Sequence, residues 1–263
     1  MNPQAAASPS SASLLASDLR CVLVMPAYNE EGCIAPVVKG WLAELERLFH
    51  RDFRVVVVND GSKDKTGEIL NQLAVTETCL LVINQKNSGH GGALLCAYRE
   101  GLRLNPEYIF HVDSDDQFRP ADFQRLWERR SESPCILGYR SVRHDAFHRL
   151  VITRILRLVL AALYGRYIKD SNVPFRLLET GFLGRALNLI PPTTFAPNIF
   201  IAVIGARINA NLMHIPVSHE DRKTGTVSIV RWKLIKVCFR CVGELLAFRG
   251  ILREKLSTVK VSS

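Results

Sequence analysis

Five short apolar runs alternate with four stretches of helical period, and this alternation limits the fold more than any other feature of the chain. The runs are Cys21–Met25, Phe53–Val58, Cys79–Ile83, Tyr108–Val112 and Cys135–Leu137. The helical stretches are Glu31–Phe49, Lys65–Leu73, Gly91–Leu104 and Ala121–Arg130. Short buried strands joined through amphipathic helices require right-handed βαβ crossovers, hence an α/β fold with a mainly parallel central sheet flanked by helices. Ligands of such sheets bind beyond the carboxyl ends of the strands. A length of 263 residues with 48% hydrophobic content suits one large α/β domain with a substantial core.

Three of the first four runs end in distinctive polar groups. They are Pro26-Ala27-Tyr28-Asn29-Glu30, Asn59-Asp60-Gly61-Ser62 and Asp113-Ser114-Asp115-Asp116-Gln117. Carboxylates massed at one strand end repel each other, and a divalent cation is what most simply neutralises them. Magnesium and manganese favour such oxygen ligands and bridge them to substrate phosphates. A solvated acidic turn is the alternative for a cluster of this kind met alone. A glycine-rich stretch, Asn87-Ser88-Gly89-His90-Gly91-Gly92-Ala93, opens the third helical segment. Glycines let backbone approach a ligand, and a helix N-terminus favours anions. His90 there reads either as a diphosphate contact or as a structural histidine.

Taken in order, these motifs resemble family 2 glycosyltransferases of the nucleotide-diphospho-sugar transferase (GT-A) fold, and among them the polyprenyl-phosphate glycosyltransferases. Gly138-Tyr139-Arg140, the segment from Asp170 to Arg176, and Asp221-Arg222-Lys223-Thr224-Gly225 extend the resemblance to most of the chain, about Val22 to Gly225. It implies a nucleotide-sugar site built from Pro26, Ala27, Tyr28, Glu30, Asn59, Asp60, Gly89, His90, Asp113 and Ser114. Asn59 stands where the family usually carries an aspartate. The resemblance assigns Mg2+ or Mn2+ to Asp115 and Gln117, and phosphate contacts to Arg140, Arg149 and Arg222. Arg176 reads either as a further acceptor-phosphate contact or as a structural partner of Asp170. Guanidinium forks match phosphate oxygens bidentately.

The implied reaction is inverting transfer of a sugar from a GDP- or UDP-linked donor to polyprenyl phosphate, dolichol- or undecaprenol-type. Asp115, Arg140, Arg222 and Asp170 are its catalytic candidates. A phosphate acceptor is already dianionic near neutral pH and needs no general base. Asp170 is the base if the acceptor is instead a saccharide hydroxyl.

A net charge of +9 fits anionic partners. The seven dispersed cysteines suit a reducing compartment, so the expected location is cytoplasmic, peripheral on the membrane face, with an integral-membrane partner as an option. Residues 1–18, rich in Ala, Ser and Pro, read as a disordered tail, 19–225 as the transferase domain and 226–263 as a basic amphipathic helix and tail. The stretch Ser228–Phe248 reads equally as an interfacial helix or as one packed on the core. A nucleic-acid partner is not expected, because the aromatics lie in apolar runs and the carboxylate cluster would repel a phosphate backbone. Nucleotidyltransferases sharing the broad fold carry a basic glycine-rich loop after the first strand, which this chain lacks. A nucleotide-binding protein without turnover is the remaining alternative.

Overall fold

The computed structural model describes residues 19–140, 147–207, 212–220, 240 and 242–252, with 147–153 described by backbone alone. Seven strands form one sheet among these residues: β1 (Cys21–Ala27), β2 (Phe53–Asp60), β3 (Leu80–Gln85), β4 (Tyr108–Val112), β5 (Cys135–Arg140), β6 (Phe175–Glu179) and β7 (Met213–Val217). Their spatial order is β3-β2-β1-β4-β6-β5-β7. The first four strands are mutually parallel, β6 is antiparallel to both β4 and β5, and β7 is parallel to β5. The sheet is thus mainly parallel, as the alternation requires, with one reversed strand.

Among the described residues it is covered by α1 (Ile34–Phe49), α2 (Thr66–Thr76), α3 (Gly89–Arg103), α4 (Phe123–Trp127), α5 (Phe147–Tyr164), α6 (Thr180–Leu187), α7 (Pro197–Arg207) and a further helical stretch near the C-terminus. Helix α1 shows why these elements form. Its apolar residues Ile34, Val37, Val38, Trp41, Leu42, Leu45 and Phe49 recur at helical spacing and are all buried. Helix α7 is apolar on every side and buried along its length except at Arg207, as a helix through the core must be. An aromatic cluster of Trp41, Phe110, Phe123 and Phe175 joins α1, α4 and the middle of the sheet.

Two strands are absent from the pattern of apolar runs. β6 carries Arg176 as its second residue, and β7 contains Pro216. Proline is tolerated in β7 because that strand lies at the sheet edge. Residues 242–252 are helical, and Leu245, Phe248 and Leu252 are buried, Phe248 edge-on to Phe200 of α7. That stretch therefore packs on the core. Residues 228–239 of the expected amphipathic helix, and the N-terminal tail 1–18, lie outside the described residues.

Candidate functional site

The sheet opens where its strand order reverses. β1 pairs with β2 through Ala27 but with β4 only from Cys21 to Val24. Beyond Val24 the two strands part, and Pro26, whose nitrogen has no hydrogen to donate, sits where no β4 partner is needed. Open α/β sheets bind ligands in such crevices. Here it holds about 360 Å³. Pro26, Ala27, Tyr28 and Glu30 line it from β1, Asp113, Ser114 and Asp115 from β4, Asp60 from β2, and Asn87, Gly89, His90 and Ala93 from the start of α3. Phe195 closes the set.

Ten residues singled out in the sequence therefore meet at one crevice. Asn59 does not line it. Its Nδ2 donates to Asn84 Oδ1 at 2.9 Å, and its Oδ1 accepts from the Ser62 nitrogen at 3.2 Å. The amide that replaces the family's usual aspartate is spent on bracing the turn after β2. Asn87, Ala93 and Phe195 were not among the expected site residues. Asn87 lies in the glycine-rich stretch, whereas Phe195 follows the Pro191-Pro192 turn and belongs to no motif.

The loops are locked together by polar contacts. Thr66 Oγ accepts from the Glu30 nitrogen at 2.8 Å and donates to Asp64 Oδ1 at 2.6 Å. Asn29 Oδ1 accepts from the Lys63 nitrogen at 2.8 Å, and Ser62 Oγ from the Asn29 nitrogen at 3.0 Å. Ser114 Oγ donates to the Pro26 carbonyl at 3.0 Å, which ties the two parting strands. Asp60 holds the start of α3: its Oδ1 accepts from Gln85 Nε2 at 2.6 Å and from the Ser88 nitrogen at 2.8 Å. Gly61, at φ 67°, lets this happen, since a Cβ there would stand 2.8 Å from the Asn87 nitrogen. The orphan amides at the head of α3 thus face the crevice, where they favour an anion.

Behind the carboxylates lies a buried polar layer. His111 Nε2 lies 3.3 Å from Asp113 Oδ1. Burial pushes the His111 imidazole down to about 4, against the pull of Asp113. Burial alone would raise the Asp113 carboxyl, but His111, His90 and Arg176 outweigh it and hold the group below the usual carboxylate range. Asp113 is then an anion facing a neutral imidazole. Tyr98 stacks edge-on to His111 and donates its hydroxyl to Asn198 Oδ1 at 3.1 Å.

Arg176 completes this layer, and the structure corrects its reading as an acceptor-phosphate contact. The side chain is fully buried in β6. Its Nε donates to the Val173 carbonyl at 3.0 Å, Nη1 to Asn198 at 2.8 Å, and Nη2 to Val173 at 2.6 Å. Its guanidinium is committed to carbonyls in the core, out of reach of a lipid phosphate.

The partner of Asp170 is instead Arg140, with Nε to Oδ2 at 2.9 Å and Nη2 to Oδ1 at 3.3 Å. Asp170 is buried and Arg140 only slightly exposed, so this ion pair fixes the end of β5. Arg222 lies outside the described residues, as does the side chain of Arg149. The chain does reach Glu220, whose nitrogen donates to the Gln117 carbonyl at 2.9 Å.

The donor set fits magnesium or manganese shared with a diphosphate. Asp113 and Asp115 both line the crevice, with Asp113 Oδ1 turned back to His111 at 3.3 Å. Gln117 is not among the residues that line the crevice, and its Nε2 donates to the Glu220 carbonyl at 3.1 Å. No three His, Cys, Asp or Glu side chains converge into a metal cage among the described residues.

The buried imidazoles have a consequence for stability. His214, like His111, is pushed down to about 4, by burial and then by Lys169. Unfolded histidine binds a proton near pH 6.5, so between that value and about 4 the unfolded chain holds more protons than the folded one. Stability is therefore full above pH 6.5 and is lost as pH falls. His111 alone should cost about 2 kcal/mol by pH 5. Urea denaturation at pH 7, 6 and 5 checks this, and a flat profile would contradict it.

The glycosyl transferase family 2 profile matches residues 22–176, more than half of the chain. An uncharacterised protein of Methanocaldococcus jannaschii is 28% identical over 227 residues, covering 82% of this chain and 95% of its own length. An undecaprenyl-phosphate 4-deoxy-4-formamido-L-arabinose transferase of Edwardsiella ictaluri is 23% identical over 223 residues, covering 84% of this chain. The chain spans 66% of that relative's length, and 63% of the same-named transferase of Pseudomonas paraeruginosa, which is 25% identical. Among solved structures, glucosyl-3-phosphoglycerate synthase from Mycobacterium tuberculosis, in complex with Mn2+, UDP and glucosyl-3-phosphoglycerate, superposes with a TM-score of 0.62 at 16% identity. That match covers 88% of this chain and 80% of that one. The fold is GT-A. The matched span runs from β1 into β6 and takes in the whole crevice except Phe195, so this glycosyltransferase belongs to glycosyl transferase family 2.

Proposed function

We propose that the protein transfers a sugar from a nucleotide-diphospho-sugar to the phosphate of a polyprenyl lipid, with inversion at the anomeric carbon. The observation that carries the donor half is the crevice, lined both by Asp113 and Asp115, just after β4, and by the start of α3. Carboxylates and helix-start amides around one crevice suit a diphosphate held by a cation and a helix dipole. Tyr28 and Glu30, which line the crevice beyond β1, would contact the nucleoside. Relatives named undecaprenyl-phosphate transferases support the lipid-phosphate acceptor.

Asp115 and Gln117 would hold Mg2+ or Mn2+, with Asp113 beside them. When bound, the cation supplies charge neutralisation for the departing nucleoside diphosphate. The residues do the rest. The α3 amides hold the diphosphate anion, Asp60 keeps those amides aimed, and Ser114 keeps the two strand ends in register. Arg140, anchored by Asp170, presents a fixed positive edge for the acceptor phosphate, and Arg222 and Arg149 are further candidates for it. Both Asp170 oxygens face Arg140, so service as a general base would have to break that pair. A phosphate acceptor makes no such demand.

No helix among the described residues is long and apolar enough to cross a membrane. Peripheral attachment through the basic C-terminal segment, alone or beside an integral-membrane partner, is the reading we carry for access to the lipid.

Incubation with a panel of radiolabelled sugar nucleotides, polyprenyl phosphate and manganese tests the proposal. The expected result is label extractable into organic solvent for one donor. Label passing to a saccharide alcohol and never to the lipid would overturn the acceptor assignment while leaving the donor site intact.

A further inference from the structure

Phe195 is the one crevice residue beyond the span matched by the family, and its position is fixed from the far side by the C-terminal helical segment. Glu244 Oε2 accepts from Thr194 Oγ at 2.7 Å and from the Phe195 nitrogen at 3.3 Å. Its other oxygen takes Arg240 Nε at 2.8 Å, and Arg240 Nη2 reaches the Thr193 carbonyl at 3.0 Å. Two side chains of one helix thus grip three successive residues of the 193–195 loop. The helix is seated on the core by Phe248 against Phe200 and by Tyr164, whose hydroxyl donates to the Leu245 carbonyl at 2.6 Å.

On its other side the loop presses against α3. A Cβ on Gly91 would stand 2.6 Å from the Phe195 carbonyl and closer still to that of Thr194. Only glycine permits this approach, in the first turn of the helix whose open amides face the crevice. The Phe195 backbone therefore sits at the anion end of the crevice, not at its β1 end with Tyr28.

We propose that Glu244 is a positioning residue for the donor: it holds Phe195 against the head of α3, where the aromatic ring walls the crevice over the diphosphate and the sugar it carries. The C-terminal helix is then part of the donor site, although it touches no substrate. An apolar wall there excludes water beside the diphosphate and strengthens the electrostatic contacts of the α3 amides. This rests on the crevice being the nucleotide-sugar site.

The test uses the full chain with Glu244→Ala, Glu244→Gln, Thr194→Val and Phe195→Ala. Titration of UDP and GDP in the presence of manganese gives nucleotide affinity, and steady-state assays separate donor KM from kcat. Glu244→Ala should raise donor KM about fivefold to tenfold with kcat within about twofold, and Phe195→Ala should do the same. Combining the two should add nothing further, because both act through one ring. Glu244→Gln should restore most of the affinity, since its amide oxygen still accepts from Thr194. Thr194→Val, nearly isosteric, repeats the loss if Glu244→Ala fails to fold. Leu45→Val is the control: it loosens the core packing of α1, not the C-terminal helix, and lowers thermal stability but should leave donor KM alone.

Wild-type protein that binds nucleotide while Glu244→Ala and Thr194→Val bind it equally well would overturn the inference and spare the donor site. Equal losses of donor affinity in Leu45→Val and Glu244→Ala would reduce Glu244 to general stability and overturn it as well. Wild-type protein that binds neither nucleotide would overturn the donor reading, and this inference with it.

Discussion

Asp115→Asn should lower kcat by about 10³-fold, a loss of roughly 4 kcal/mol of transition-state stabilisation, in a protein that stays folded. Asp115 lines the crevice at the parted ends of β1 and β4. It projects from the loop after β4 rather than from the sheet core, so its exchange for an isosteric amide removes charge without opening a cavity. The substitution removes one anionic ligand from the set proposed for Mg2+ or Mn2+. It leaves Gln117, braced on Glu220, and Asp113, braced by its charged surroundings. The affected quantity is the charge balance on the departing diphosphate, which develops in the transition state. The loss should therefore fall on kcat and on the manganese dependence more than on nucleotide affinity without metal. Two measurements check this: turnover as a function of manganese, and the thermal shift produced by nucleotide with and without the metal. Asp115→Asn protein that turns over within threefold of wild type would remove Asp115 from the metal set. A large loss of thermal stability without ligand would make its role structural.

The parts of this site that could be read in the sequence are those where local pattern and chemistry coincide. The Tyr108–Val112 run is apolar, short and followed at once by carboxylates, so strand, strand end and ligand chemistry are all written within ten residues. The same holds for β1 and β2. The glycine-rich segment announced a backbone held close to something, and α3 does begin there, at Gly89 rather than Gly91. Other features depend on partners far along the chain and carry no local sign. β6 reads as a polar break because Arg176 stands in it, and only the carbonyls of Ser171, Val173 and Asn198 make a buried guanidinium tolerable there. β7 is disguised by Pro216, which only an edge strand could accommodate. Phe195 had one faint signal, the second glycine of the α3 head. A glycine inside a helical turn implies that something packs closely, but not that the packing atoms are carbonyls about a hundred residues away. Asn59 shows the reverse case. A motif position was legible, yet its amide bonds to Asn84 and the Ser62 nitrogen rather than lining the crevice.

Arg176→Met should destabilise the protein by about 3–5 kcal/mol, which for a domain of this size lowers Tm by roughly 10 °C. Methionine matches the length of the arginine stem and avoids a large cavity, so packing is not the dominant loss. The loss is polar. The carbonyls of Ser171, Val173 and Asn198 each lose a charged donor in a site closed to water, and buried acceptors without donors cost about 1–3 kcal/mol apiece. Burial already pushes the guanidinium below its ordinary pKa, and Tyr98, Cys135, Asp170 and Asp113 oppose that shift. The charge therefore serves the carboxylates on either side of it, Asp113 in the crevice wall and Asp170 beside Arg140. Its removal should also weaken both electrostatically, so the residual folded enzyme should show reduced kcat. Surface contact with an acceptor phosphate makes the opposite forecast, with normal Tm and an acceptor KM raised about tenfold. Thermal unfolding and acceptor titration on one preparation separate the two. A variant that melts within 2 °C of wild type and binds acceptor weakly would return Arg176 to the acceptor site. A variant that melts far lower with acceptor KM unchanged would establish it as the buried strut on which the carboxylate wall of the crevice rests.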